Sequence, residues 1–375
     1  MEVVLLACAA FVVYAYAGYP LVLCVVARLF GRPVRQADIT PSVTFVIAAR
    51  NEASRIRAKI ENTLALDYPL NLFEVIVASD CSDDGTDDIV REFAPQGVRL
   101  IAAPERLGKE NAQSLAIRES AGEVLVFSDA STRLEPGGVK LIVRNFADPE
   151  IGCVSSVDRV VDAEGRPGGE GAYVRYEMWL RSLESRVGSV VGLSGSFFAA
   201  RRDVCEPWPT DLPSDFNTLL NTLRRGLRGV SDPAAIGSYL DLADPAAEYA
   251  RKVRTVSRGL SSLGRNVELL NPFAFGTAAW QLFSHKLCRW LVPFALAGVL
   301  ATNLSMAWQS TGYAAVGVCQ LLCYGVAAYG IRRGVELAGP LRLLTFFVLV
   351  NFSILNAWYN VLRGRRVVVW QPSRR

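Results

Sequence analysis

Apolar runs mark both ends of the chain, and between them the spacing changes to that of an α/β domain. Residues Val3–Phe30 carry no charge before Arg28. That is enough apolar chain to cross a bilayer as a helix. The run is too long for a cleaved signal peptide and lacks a basic lead-in. Arg28, Arg32 and Arg35 follow, so the positive-inside rule puts the next segment in the cytoplasm. From about Pro41 the apolar residues fall into short β-branched runs. Val43–Ala49, Phe73–Ala78, Val98–Ile101 and Val124–Phe127 read as strands. Between them, Ala53–Leu66 (Ile56, Ile60 and Leu64 on one face), Asp87–Phe93 and Glu110–Glu119 read as helices. This alternation predicts a parallel wound sheet. Further on, Ile151–Val157 reads as a strand, and Tyr173–Val187 and Phe216–Arg225 as helices. Tyr173, Tyr176 and Trp179 line one side of the former helix and read as core rather than as a sugar platform.

Three more apolar stretches close the chain, at about Leu291–Trp308, Tyr313–Ile331 and Leu343–Leu362. Pro272–Phe283 reads as an interface helix, with His285, Lys286, Arg289 and Trp290 at headgroup level. With the first segment this gives four candidate spans and a multi-pass protein. Four full spans would put Arg363, Arg365, Arg366, Arg374 and Arg375 outside, against the positive-inside rule, unless one stretch is re-entrant or interfacial. No span carries a central charge, so an ion pathway is not signalled.

Composition narrows the chemistry. The chain has 375 residues, 51% of them hydrophobic, and a net charge of +4. This suggests about two units, and the near balance of charge does not imply nucleic acid. The eight cysteines include no C-x-x-C pair and read as small buried hydrophobes of a reducing compartment. His285 is the single histidine. Ser-His-Asp and histidine-based metal chemistry are therefore set aside, and proton transfer falls to carboxylates, Lys, Tyr or Cys.

The strand ends carry the candidate chemistry. Val124–Phe127 runs straight into Ser128 and Asp129, and ligands of open α/β sheets bind past the carboxyl ends of strands. Asp129 and Ser131, two residues apart, can turn toward one hard divalent cation carrying phosphates; the alternative is an Asp that caps a turn. Glu52, Asp80 and Asp129 fall at three strand ends, and Lys109 precedes the fourth strand, within reach of a phosphate. Neither G-x-G-x-x-G after the first strand nor G-x-x-x-x-G-K-[ST] occurs, which disfavours a dehydrogenase or a P-loop nucleotidase. A nucleotide held by ribose and base edges, with a cation over its diphosphate, fits this set.

Val46-Ile-Ala-Ala-Arg-Asn-Glu52, Ser79-Asp-Cys-Ser-Asp-Asp-Gly-Thr86 and Ser128-Asp-Ala-Ser131 resemble, in order, the motifs of family-2 glycosyltransferases with the GT-A fold. The resemblance covers residues 41–270. It implies an α/β, GT-A type wound mixed sheet with a Rossmann-like nucleotide-sugar-binding half, and transmembrane helices at both ends. The implied divisions are 1–31 (first span), 41–270 (cytoplasmic catalytic domain) and 272–375 (interface helix and membrane bundle). It also implies that Asp80 holds uridine, that Ala49 and Glu52 line the same pocket, and that Lys109 approaches the base or diphosphate. Asp129 would reach the diphosphate through Mg2+ or Mn2+, with Ser131 standing where the family has a second Asp. Ser194–Arg202 resembles the strand beside the donor sugar, with Gly195 allowing close backbone approach. Asp215 matches the family's base, although Ser214 replaces a Glu; the alternative is a helix cap. Arg251, Arg254 and Arg258 share one helix face. The position resembles the Q-x-x-R-W motif of processive synthases, with Arg251 for Gln and Thr255 for Trp. Arg251 and Arg254 would then clamp the leaving diphosphate; the alternative is a solvated or membrane-facing basic face.

The sequence thus points to an inverting glycosyltransferase of the inner membrane. It would take a nucleotide sugar, a UDP-sugar first among them, from the cytoplasm. The acceptor would be a lipid-linked or growing saccharide, among membrane lipids. The layout is similar to that of cellulose-synthase-like and ceramide-glucosyltransferase-like enzymes. A catalytically silent nucleotide-sugar sensor or scaffold is the competing class; a transporter is disfavoured by the lack of repeats.

Overall fold

The computed structural model describes residues 1–161, 172–240, 245–333 and 339–365. Helices α1 (Glu2–Val13) and α2 (Tyr19–Phe30) are joined by a π-helical turn, Tyr14–Gly18. That turn lies just before Pro20, which has no amide hydrogen to give a regular helix. The sheet region then runs in chain order: β1 (Val43–Ala49), α3 (Ile56–Leu64), β2 (Phe73–Ser79), α4 (Thr86–Arg91), β3 (Val98–Ala102), α5 (Lys109–Glu119) and β4 (Val124–Asp129). These elements match the predicted alternation. Next come β5 (Arg133–Leu134), α6 (Gly138–Val143), β6 (Ile151–Val161), α7 (Ala172–Val187), β7 (Phe197–Arg201), α8 (Ser214–Arg224) and β8 (Arg228–Leu240). The helices α9 (Pro245–Arg265), α10 (Pro272–Gln281), α11 (Cys288–Met306), α12 (Thr311–Arg333) and α13 (Pro340–Leu362) follow.

All the strands form one sheet in the order β3-β2-β1-β4-β7-β6-β8-β5. β1, β2, β3 and β4 are mutually parallel. The chain moves outward from β1 to β3 and returns to the other side of β1 as β4, so the switch point lies between β1 and β4. A crevice opens at that point in sheets of this kind. β7 pairs antiparallel with β4, which makes the sheet mixed. Every residue of β1 is buried. Phe45, Ile47, Ile56, Ile60, Val77, Val126 and Phe197 sit in one core with α3 and α6 covering it.

Two compact units emerge among the described residues. The sheet unit comprises 23–161, 172–240 and 262–281; the helical unit comprises 1–22, 245–261, 282–333 and 339–365. Inside the helical unit, Gly298 lets Cys8 lie where a side chain would otherwise be, and Gly259 does the same for Trp290. Tyr14 and Ser284 share a hydrogen bond of 2.7 Å, and the Trp358 indole donates to the carbonyl of Trp290 at 2.9 Å. Four helical stretches are long and apolar enough to cross a membrane: Glu2–Phe30, Pro272–Met306, Thr311–Gly330 and Leu341–Leu362.

Several expectations change. The stretch read as an interface helix is helical over α10 (Pro272–Gln281). The chain stays helical through a π-helical segment, Leu282–Leu287, into α11, and breaks instead at Gly276, whose φ of 51° suits glycine. His285, Arg289 and Trp290 pack inward; the His285 ring lies against Tyr19 at 6.1 Å, and Arg289 lies over Tyr16 at 5.3 Å. The aromatic stripe of α7 is not core: Trp179 is 43% exposed. α7 buries Leu180, Leu183 and Val187 instead, and Tyr173, Tyr176 and Trp179 form a ladder of ring contacts. Cys153, Cys205 and Cys288 are buried as expected, but Cys24 and Cys319 are exposed; the cysteines are free thiols. Arg366, Arg374 and Arg375 lie outside the described residues.

Candidate functional site

Strand register brings the chemistry to one edge. Ala49 pairs with Ser79, Ala48 with Asp129, and Ser79 with Ala102. The segments that follow these strands therefore leave the sheet side by side. β7 is antiparallel to β4, with Phe197 opposite Ser128, so its amino end stands at this same edge. The Asp129 amide donates to the Ser196 carbonyl at 3.0 Å, and this pairing puts Gly195 beside Asp129.

One side of the edge is built around Asp80. Its backbone amide donates to the carbonyl of Ala49 at 3.0 Å. Its Oδ1 accepts from the amides of Leu107 and Gly108 at 3.1 and 2.9 Å. Gly108 has φ 105°, a backbone open to glycine, and precedes the first turn of α5. Oδ2 is buried without a hydrogen-bond partner. A buried carboxylate oxygen in that state is costly, and it has room in its chemistry for one N–H donor. Arg50 braces the loop by donating to Asp83 Oδ2 at 3.0 Å. Asn51 adopts φ 53° and donates to Asp83 Oδ1 at 2.7 Å. Thr86 Oγ1 receives the amide of Glu52 at 2.8 Å. The Arg50-Asn-Glu52 and Ser79–Thr86 stretches thus hold one another.

The other side converges on Lys109. Its buried ammonium donates to Asp129 Oδ1 at 2.5 Å and to the Gly195 carbonyl at 3.1 Å. Burial by itself would lower the Lys109 pKa, but the charge and hydrogen bond of Asp129 outweigh it, and the net shift is upward. Lys109 is therefore held charged at neutral pH. A Cβ placed on Gly195 would stand 3.4 Å from Asp215 Oδ2, and Asp215 adds its own field at Lys109. Asp215 lies in the first turn of α8, whose N-cap residue is Pro213 and has no side-chain cap hydrogen bond. A cap role for Asp215 is thus not what the structure contains. Glu52 is buried and paired with Arg55 at 3.0 Å. Burial pushes its carboxyl pKa up, the charge of Arg55 opposes this, and Asp129 and Asp84 push the same way as burial.

The structure brings Ala49, Glu52, Asp80, Lys109, Asp129, Ser131, Gly195 and Asp215 to the carboxyl edge of the sheet unit. Arg251 and Arg254 belong to the helical unit, on α9, where Arg251 is exposed. Sequence reasoning missed Lys59, which is fully buried and donates to Ser128 Oγ and the Thr132 carbonyl at 2.7 and 2.6 Å. Its signal was legible: Lys59 shares the helical face of Ile56, Ile60 and Thr63, which is the buried one. Asp158 was missed too. It accepts from Ser194 Oγ at 2.7 Å and from Ser196 Oγ, and so ties β6 to the approach of β7.

A hard divalent cation fits this edge in a specific way. Asp129, whose side chain is 26% exposed, and Ser131 offer oxygen donors of the right kind. No cluster of three His, Cys, Asp or Glu side chains exists among the described residues. Such a site completes its shell with phosphate oxygens, the arrangement Mg2+ commonly takes.

Known proteins share this framework. Residues 44–207 match the model of the family described as Glycosyl transferase family 2. A beta-monoglucosyldiacylglycerol synthase of Nostoc sp. is 26% identical over 200 residues, 50% of this chain and 43% of that protein. A poly-beta-1,6-N-acetyl-D-glucosamine synthase of Staphylococcus aureus is 24% identical over 243 residues, 63% of this chain and 58% of that protein. The chain thus spans about half the length of these curated relatives. A mannosyltransferase from Pyrobaculum calidifontis, solved in complex with GDP-Man and Mn2+, superposes with a TM-score of 0.75 at 24% identity. That alignment covers 96% of this chain and 99% of the other. The likeness establishes the fold, the mixed α/β sheet of GT-A type.

Proposed function

We propose that the protein, whose residues 44–207 match the Glycosyl transferase family 2 model, is an inverting, membrane-bound glycosyltransferase. It transfers a sugar from a nucleoside-diphosphate sugar, a UDP-sugar first among them, to a lipid-linked or growing saccharide. The observation that carries this reading is the meeting of Asp129, Gly195 and Asp215 around the Lys109 ammonium. A binding module needs a cation for the diphosphate, but it has no use for a further carboxylate at the sugar end.

In this mechanism Asp80 Oδ2 accepts the N–H of the base, with Ala49 and Glu52 lining the pocket. Lys109 neutralises phosphate charge, and the Gly195 backbone lets the diphosphate lie close. Asp129 and Ser131 would hold Mg2+ or Mn2+, which would screen the diphosphate and ease its departure. Asp215 takes the proton of the acceptor hydroxyl as that oxygen attacks the sugar's anomeric carbon from the face opposite the diphosphate. The bond from that carbon to the phosphate oxygen breaks, and the electron pair leaves with the nucleoside diphosphate. Arg251 and Arg254 remain proposed phosphate ligands on their motif position and spacing. The monoglucosyl lipid in the name of the Nostoc relative supports a lipid acceptor and a glycolipid product; the polymer in the name of the staphylococcal one supports a growing chain. The sheet unit would lie in the cytoplasm and the apolar helices in the inner membrane.

The test is nucleotide release by the purified protein in detergent with membrane lipid extract. The donors are UDP-, GDP- and dTDP-sugars with Mg2+ or Mn2+. One donor is expected to release nucleotide, and Asp215→Asn to reduce that release roughly 10²–10⁴-fold with nucleotide binding retained. Binding without release from any donor would favour a sensor. Release that survives Asp215→Asn would remove the base assignment.

A further inference from the structure

The fully buried Lys59 is the strongest feature that the proposed mechanism leaves unused. It extends from the core face of α3 and reaches across to the far end of β4. There its Nζ donates to Ser128 Oγ at 2.7 Å and to the Thr132 carbonyl at 2.6 Å. These acceptors flank the segment that carries Asp129 and Ser131. Ser128 Oγ lies 3.3 Å from the Asp129 carbonyl, and the Thr132 amide donates to that same carbonyl at 3.1 Å. The lysine therefore ties both ends of a five-residue turn. Phe45 lies under the ammonium at 5.3 Å.

Core packing alone does not explain this residue. Ile56, Ile60 and Thr63 are its neighbours on the buried face of α3, and a leucine or methionine there would avoid burying an amine. Burial pushes the Lys59 pKa down to about 7, even with the opposing pull of Asp129. The acceptors explain its presence: the ammonium supplies N–H donors to the Ser128 hydroxyl and to the carbonyl of the buried Thr132. An amine donates through N–H whether or not it carries the extra proton, so the strap holds in either state.

We propose that Lys59 is a positioning residue for the metal–diphosphate end of the donor site: by bracing Ser128 and Thr132 it holds Asp129 and Ser131 convergent on one cation. This rests on the proposed donor site at Asp129. Lys59 touches neither nucleotide nor cation. It acts through the turn, as supporting groups behind metal ligands do.

The test measures Mn2+ binding by loss of the free-ion EPR signal, at saturating UDP and separately at saturating GDP. Nucleotide affinity without metal and the melting temperature are followed alongside. Wild type should bind Mn2+ with one of the nucleotides, and Asp129→Asn should abolish that binding. Lys59→Met should weaken Mn2+ binding roughly 10–100-fold and leave metal-free nucleotide affinity within about twofold, since Asp80 is untouched. Ser128→Ala, which removes one of the two acceptors, should weaken Mn2+ binding several-fold and decides the matter if Lys59→Met does not fold. Unchanged Mn2+ binding in the folded Lys59→Met protein, or in Ser128→Ala when that variant must decide, would overturn the role. So would equal losses of Mn2+ and metal-free nucleotide binding, which mark general damage. Mn2+ binding that survives Asp129→Asn overturns the donor-site reading itself, and the Lys59 role falls with it.

Discussion

At the residue scale, two buried lysines answer to opposite environments. Lys109 touches a carboxylate and is driven above its ordinary pKa. Lys59 touches a hydroxyl and a carbonyl and is driven down to about 7. Burial disfavours both charges, and only a contacting carboxylate reverses it. Asp80 shows how finely polarity is set. One oxygen is committed to the Leu107 and Gly108 amides and the other is left free. In Asp80→Asn the amide oxygen can keep the two backbone donors, while its NH2 replaces the open acceptor. Nucleotide affinity, read by titration calorimetry, is expected to fall roughly tenfold or more, which corresponds to about 1.4 kcal/mol. The melting temperature should stay near that of the wild type. A retained affinity would place the base elsewhere.

At the element scale, β1 to β4 announced themselves as short runs rich in β-branched residues, and the observed strands start at the predicted residues. β8 did not. Its Gly229, Ser231, Asp232, Pro233 and Gly237 read as turn residues. It is a strand because β6 pairs with it across register shifts at Ile151/Cys153 and Ser155/Val157, which accommodate an irregular chain. The direction of β7 was equally silent, since nothing in Phe197–Arg201 distinguishes a parallel from an antiparallel partner. Entry into β4 depends on Gly122, where an added Cβ would lie 2.4 Å from the Thr44 nitrogen. That atom is backbone of β1 and cannot swing aside. Gly122→Ala is therefore expected to destabilise the sheet unit by about 1–3 kcal/mol, measured by thermal or denaturant unfolding in detergent. An unchanged midpoint would show that the α5–β4 junction yields.

At the scale of the whole molecule, the chain joins a sheet unit bearing the site to a unit rich in apolar helices. The arginines after α2 lead us to expect the sheet unit in the cytoplasm. A membrane-impermeant maleimide should label Glu105→Cys, on the exposed β3–α5 loop, in inverted vesicles and not in intact cells; labelling in intact cells would reverse the orientation. Much of this protein was legible in its sequence. Apolar run length marked the helices that could enter a membrane, alternation marked the wound sheet, and Glu52, Asp80, Lys109, Asp129 and Asp215 stood out as polar residues at motif positions. Those properties belong to near neighbours along the chain. The tertiary structure decided which distant residues meet: Gly195 beside Asp129 through an antiparallel strand, Asp215 beside Gly195, and Lys59 beneath the turn at 128–132. Strand pairing and core packing make those contacts, and their partners lie tens of residues apart, beyond the reach of any local pattern.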